Sequence, residues 1–183
     1  MALYGASTEY VLHSLLWLVA HPGPVSSLDL ADMQGIPAAF MAKLLPRLEK
    51  AGILVAVEGL RGGYQLARPA EQVSVLDVVD AVEGRKTLFN CQQIRGRCAL
   101  FGTAPPGWAE RGVCSIHAAM LRAEQTMRAE LAQTSLADLA QTVRTKAPPP
   151  FWSEAQAWFD ARARTRKTGK VRQKKRPVED KLA

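Results

Sequence analysis

No apolar run in this sequence approaches the roughly 20 residues that a membrane-spanning helix needs. The best stretch, residues 12–20, is nine residues long and includes His13 and Ser14, so no membrane partner is expected. No cationic start leads into an apolar segment with a small-residue cleavage site, which argues against a secretory leader. Cysteine is scarce. Its three residues are an odd count, which disfavours a disulfide scaffold and suits reduced thiols in a cytoplasmic protein. There is no Walker loop, GxGxxG, HExxH or GxSxG. Gly59, Gly62 and Gly63 stand between two extended runs, where they serve a turn of positive φ rather than a phosphate cradle. No motif assembles a nucleophile with a base, and an enzyme is not expected.

Acidic residues are missing from positions 162–176, which hold nine basic side chains: Arg162, Arg164, Arg166, Lys167, Lys170, Arg172, Lys174, Lys175 and Arg176. Without them, the net charge of +7 gives way to 15 basic against 17 acidic residues. The basicity belongs to a tail. Such a run reads as a solvated, disordered arm that adds phosphate contacts without sequence preference.

Apolar spacing predicts a helix over 7–21, with Tyr10, Val11, Leu15, Leu18 and Val19 near one face and Pro22 ending it. A short helix starts at Ser27 and stops at Gly35. A third runs from Pro37 through Phe40, Met41, Leu44, Leu45 and Leu48 to Gly52, with a kink or early break expected at Pro46. Extended runs at 53–57 and 64–67, joined by the Gly-rich turn, make a β-hairpin. A further helix covers Val75 to Glu83 and closes at Gly84. The order describes a mainly α fold with one small hairpin, a winged helix–turn–helix.

Residues 85–113 lack periodicity and are too long for a bare connector, so something should pin them. From 114 to 134 the pattern turns helical, with Ile116, Met120, Ala123, Met127 and Leu131 forming a stripe that packs on its own domain or pairs with a second chain. A short helix with Leu136, Leu139 and Val143 follows a cap at Thr134-Ser135. Pro148, Pro149 and Pro150 form a linker to an aromatic helix bearing Phe151, Trp152, Trp158 and Phe159.

Cys91, Cys98, Cys114 and His117 are spaced C-x6-C-x15-C-x2-H, and thiolates with imidazole suit zinc, copper and iron–sulfur centres. Cys114 falls on the first turn of a helix, where the dipole lowers a thiol pKa. Three unrelated, packed cysteines are the alternative. Glu9 and His13, four residues apart, leave the first helix on one face.

The stretches LEKAGIL (48–54), RGGYQLARP (61–69) and VLDVVDAV (75–82), after the three helices, resemble the Rrf-type family of bacterial winged-helix transcriptional regulators. The likeness covers roughly residues 1–145. It implies a winged helix–turn–helix over 1–84, a cluster-bearing loop over 85–113 and a dimerisation helix with a short following helix over 114–145. The remainder, 146–183, is linker, aromatic helix and basic tail.

The resemblance further implies a cytoplasmic homodimer that binds a double-stranded DNA operator and senses redox state, nitric oxide or iron–sulfur status. The cofactor would be an iron–sulfur cluster, 2Fe–2S first and 4Fe–4S as the alternative. An IscR-like site would use Cys91, Cys98, Cys114 and His117. The stretch 89–95 looks more like the RsrR-like redox sensors, in which Cys98 and Cys114 would be joined by Glu9 and His13 from the other chain. The family's compact C-x5-C-x5-C is stretched here. On the DNA side, Pro37, Ala39 and Ala42 occupy recognition-helix positions, where their methyls can meet thymine but cannot make bidentate hydrogen bonds. Lys43 and Arg47 are candidate DNA contacts, and Arg61 at the wing tip would reach phosphate or the minor groove. Rival readings are a cluster-free thiol switch of the same fold and a zinc-braced interaction module.

Overall fold

The computed structural model describes residues 2–174. Lys175 and Arg176 of the basic run lie outside the described residues. Helix α1 (Ala6–Ala20) buries Val11, Leu15 and Leu18. Helix α2 (Ser27–Gln34) is N-capped by Ser26, whose Oγ accepts from the Asp29 amide at 3.1 Å. It ends on Gly35 in the left-handed region at φ +66°. Helix α3 (Ala38–Lys50) buries Met41, Leu44, Leu45 and Leu48. Of the kink or early break expected at Pro46, the early break does not occur; the helix runs through it to Lys50. Pro46 is exposed, as is Ala42 one turn earlier, so the carbonyl that loses its amide partner faces solvent.

The wing pairs β1 (Leu54–Val57) with β2 (Gly63–Leu66) antiparallel, in the register Leu54–Leu66 to Val57–Gly63. Val25, just before α2, docks on it: the Val25 amide donates to Tyr64 O at 3.0 Å and the Tyr64 amide donates to Val25 O at 2.8 Å. Only Gly59 of the three wing glycines has positive φ, at +113°. Gly62 and Gly63 serve close approach instead. A Cβ would lie 2.3 Å from Val57 O at Gly62, and 2.3 Å from Val25 O at Gly63.

Helix α4 (Val75–Glu83) opens on a reciprocal capping box between Ser74 and Asp77 and closes at Gly84. Val75, Val78, Val79 and Val82 are buried. Two 3-10 turns, Ile94–Arg97 and Ala99–Phe101, and a four-residue α5 (Gly107–Glu110) occupy the long loop. Helix α6 (Ser115–Gln133) follows, then α7 (Leu136–Lys146) behind a second capping box of Ser135 and Asp138. Leu136 is fully buried in one core with Leu15, Leu48 and Ile53. Full burial of such side chains stabilises by about 1.5–3 kcal/mol each. Helix α6 buries a single residue, Glu124, and leaves Ile116 and Ala123 of its apolar stripe exposed.

The aromatic segment and the start of the basic run are one element, α8 (Pro150–Lys174). The arm expected to be solvated is, at least through Arg166, helical and docked. Phe159 is 3% exposed in the core, and Trp17 of α1 meets Phe151, Trp152 and Phe159 at centroid distances of 5.7, 5.5 and 6.1 Å. No described helix is long and apolar enough to cross a membrane.

Candidate functional site

The long loop and the first turn of α6 enclose a cavity of about 500 Å³. Cys91, Cys98 and Cys114 all line it, with Phe89, Gln93 and Ile94 among the other walls. Cys98 is exposed, the other two are half-buried, and all three are free thiols. The loop is pinned by a residue with no sequence signature. Arg95 reaches three consecutive carbonyls, donating from Nη2 to Glu110 O at 2.9 Å and Gly112 O at 2.6 Å, and from Nη1 to Arg111 O at 3.3 Å. One guanidinium therefore closes the loop's first arm onto the residues just before Cys114. Gln93, in the cavity wall, holds φ at +53°, the one positive φ outside glycine among the described residues. Such backbone costs of order 1 kcal/mol and gathers at functional sites.

Cys114 N-caps α6. The backbone amides of His117 and Ile116, at the start of α6, hold its thiol below the usual range; burial opposes them, and the Arg95 charge adds a lesser lowering. A sulfur on these amides is ready to carry negative charge. The His117 ring sits by Phe89, 6.0 Å between centroids. Donor chemistry therefore fits a thiophilic centre. As placed, however, no group of three or more His, Cys, Asp or Glu side chains converges on a metal position among the described residues.

Glu9 and His13 are exposed on α1 and line a different concavity, with Tyr4 and Leu12. Within one chain the structure does not bring them to the cysteines.

Pro37, Ala39, Ala42 and Lys43 present an exposed face of α3, and Arg61 is exposed in the wing turn. Arg47 differs. Its Nη1 donates to Val82 O at 2.7 Å, tying α3 to the end of α4. Helix α4 is held in turn by α6: Arg128 grips Asp80 with both nitrogens, at 3.0 and 2.6 Å. The buried Glu124 accepts the Leu88 amide at 3.0 Å, fastening the start of the loop to the same helix. A contiguous set of polar contacts therefore runs from loop to α6, to α4, to α3. Sequence reading missed Asp80, Glu124 and Arg128. The signal available was Glu124 and Arg128, one helical turn apart on a helix otherwise read for its apolar stripe.

The family described as "Rrf2: Iron-dependent Transcriptional regulator" matches residues 4–142. Among curated relatives, protein rrf2 of Nitratidesulfovibrio vulgaris is 38% identical over 93 residues, covering 50% of this chain and 62% of that protein. Matches to such relatives span 53–62% of their length. Among solved structures, CymR, the global cysteine regulator of B. subtilis, is similar at a TM-score of 0.61 and 20% identity, covering 78% of this chain and 98% of that one. IscR of T. potens is similar at 0.60 and 20%, covering 82% and 95%. At that identity the likeness shows the fold.

Proposed function

Because the chain belongs to the Rrf2 family, whose members are transcriptional regulators and not enzymes, we propose that it is a homodimeric DNA-binding regulator. Its grip on DNA would answer to the state of the three-cysteine cavity. Helix α3 enters the major groove with Ala39, Ala42 and Lys43 toward the bases, and Arg61 contacts backbone phosphate. Two copies, paired through the apolar side of α6, present two such heads to two half-sites. The exposed Ile116 on that stripe supports the pairing.

One observation carries the sensing role: three cysteines up to 23 positions apart line one cavity, and one of them caps the helix that leads to the DNA-binding unit. The group proposed there is an iron–sulfur cluster, 2Fe–2S, held by Cys98 and Cys114 with Glu9 and His13 of the partner subunit. Cys91 and His117 are the alternative ligands. Bound, such a group supplies a one-electron redox change. The chain's own residues do the rest. The α6 amides stabilise the Cys114 thiolate, Arg95 sets the loop, and Asp80, Arg128 and Glu124 pass its position to α4. A switch of this kind needs the two loop states to bind DNA unequally. Anaerobic purification with iron and sulfide analysis, an absorption spectrum and DNA binding in each redox state is the test. Colourless protein with no iron, which does not reconstitute, would overturn it.

A second reading is favoured by the lowered Cys114 thiol and the exposed Cys98. A peroxide would oxidise one thiolate to a sulfenic acid, releasing water or hydroxide, and a second thiol would then condense with it to a disulfide, releasing water. Iron-free protein whose DNA affinity changes on peroxide treatment and recovers with dithiothreitol selects this reading.

A further inference from the structure

Helix α8 lies beyond the family-matched residues 4–142, yet it is bound to the helix–turn–helix by contacts too specific for a passive tail. Its first half is fixed by the aromatic seam on Trp17 and by Phe159 against the His21 ring at 5.7 Å. Its middle is fixed by charge. Arg162 lies 4.6 Å over the Trp158 ring, donates from Nε to Asp29 Oδ1 at 2.8 Å and pairs with Asp32. One turn on, Arg166 pairs with Asp29 and donates to the Ser26 hydroxyl at 3.0 Å.

These anchors fix where the helix is heading. Ser26 is the N-cap of α2, and its neighbour Val25 pairs with Tyr64 at the base of the wing. Val25 O also lies against Gly63, two residues from Arg61. Arg166 therefore arrives where the N-terminus of α2 meets the wing, and the helix continues to Lys174, about 12 Å farther at 1.5 Å per residue. Between residues 161 and 178 the sequence holds no acid, and Arg164 is exposed. Two of the charges, on Arg162 and Arg166, neutralise Asp29 and Asp32. Without them those acids would repel a polyanion beside α2.

We infer that α8 is a second DNA-contacting element, which lays the cationic run starting at Arg164 along the phosphates flanking the segment held by α3 and the wing. This rests on the DNA-binding reading. The partner is the phosphate backbone of double-stranded DNA, chosen for charge complementarity and for the helix's arrival beside the wing. Each phosphate contact made through a lysine or arginine steepens the salt dependence of binding by about 0.9 in log K against log salt.

The test compares the full chain with its Arg164→Gln/Lys167→Gln/Lys170→Gln variant on a duplex of arbitrary sequence, across a salt titration. Thermal melting, expected unchanged, confirms that the substitutions leave the fold intact. The expected result is a slope lower in magnitude by at least about one unit, with weaker affinity on all sequences. A slope and affinity unchanged in the variant, while the unaltered chain binds DNA, overturn the arm and leave the DNA-binding reading standing. An unaltered chain that binds no duplex overturns both.

Discussion

Arg47 on α3 donates from Nη1 to the carbonyl oxygen of Val82, 2.7 Å away on the last turn of α4. The helix that presents the DNA-facing side chains is thereby tied to the helix that Arg128 and Glu124 connect to the cysteine loop. Arg47 is occupied as a strut, at the end of α4 where unpaired carbonyls favour a cation. Arg47→Ala should destabilise the fold by about 1 kcal/mol through the lost hydrogen bond. It should also weaken the coupling between loop state and DNA affinity, with the salt slope of binding changing little. Arg61→Ala should do the opposite, keeping the melting temperature and lowering the slope by about 0.9. A slope reduced equally by both substitutions would show that Arg47 also reaches phosphate.

The wing depends on bare backbone at Gly63. An alanine there places its Cβ 2.3 Å from Val25 O, in the segment that bridges the wing to the start of α2. Gly63→Ala should cost about 1–3 kcal/mol as overpacking and loosen the Val25–Tyr64 pairing. Amide exchange at Val25 and Tyr64 reports it. Gly59→Ala should act through its positive φ alone, since no atom lies within 4 Å of the added carbon. Protection at Val25 that is equal in both variants would refute the close-approach explanation.

Local rules made most of the winged domain legible. Helix α4 runs Val75–Glu83 and closes at Gly84, the bounds expected of it, behind a Ser74–Asp77 capping box that the sequence reading did not use. What escaped is non-local or chemically generic. The cationic run looks solvated because its acids, Asp29 and Asp32, lie about 130 positions away. Arg95 gives no sequence signal because its acceptors are backbone carbonyls, which every residue offers. Pro46 does not end α3 for a related reason: it and Ala42 are exposed, so water can take the hydrogen bond that the missing amide leaves open. The irregular cysteine spacing hid a common cavity, since the intervening residues are taken up by short turns that Arg95 folds together.

Acid should release α8 from α2. Asp29 is 3% exposed at its side chain, and burial pushes its carboxyl up. Hydrogen bonds from Arg166, Arg162 and the Ser26 hydroxyl outweigh burial and hold it below the ordinary aspartate value. A lowered folded pKa means a stabilisation present in full above the unfolded value, about 3.9, and lost as pH falls through the folded one. Tryptophan emission of a Trp108→Phe chain, dominated by the seam of Trp17, Trp152 and Trp158, should change in that window. In Asp29→Asn the acid step should shrink, with α8 already loosened at neutral pH. An identical acid profile in both chains would exclude Asp29 as the latch.

Removing the Arg95 guanidinium should open the cysteine loop without unfolding the domain. Arg95→Ala loses three carbonyl contacts at an exposed site, so the melting temperature should shift little. Alkylation of Cys91 and Cys98 should quicken as the cavity walls part. Cys114 should become a weaker nucleophile near neutral pH, because Arg95 helps to hold its thiolate. Unchanged alkylation rates at all three cysteines would mean that the loop holds its shape by other contacts.

The ligand question reduces to which side chains can meet. In one chain Glu9 and His13 face a concavity of their own, and the cysteines share another. A mixed site therefore requires a second copy, whereas a site of Cys91, Cys98, Cys114 and His117 requires the loop to contract within one chain. The mixed set is less rich in thiolate, which raises a cluster's potential and suits redox sensing. Spectra of anaerobically reconstituted His13→Ala, His117→Ala and Cys91→Ala proteins separate the two. Loss of the cluster bands in His13→Ala alone is the expected result. A mixture of His13→Ala and Cys98→Ala chains should then recover part of the signal, because a heterodimer rebuilds one intact site from Glu9 and His13 of the second chain and the cysteines of the first. Loss in His117→Ala and Cys91→Ala, with His13→Ala unaffected and no recovery on mixing, would place all ligands on one chain and leave the exposed pair on α1 without a role in the site.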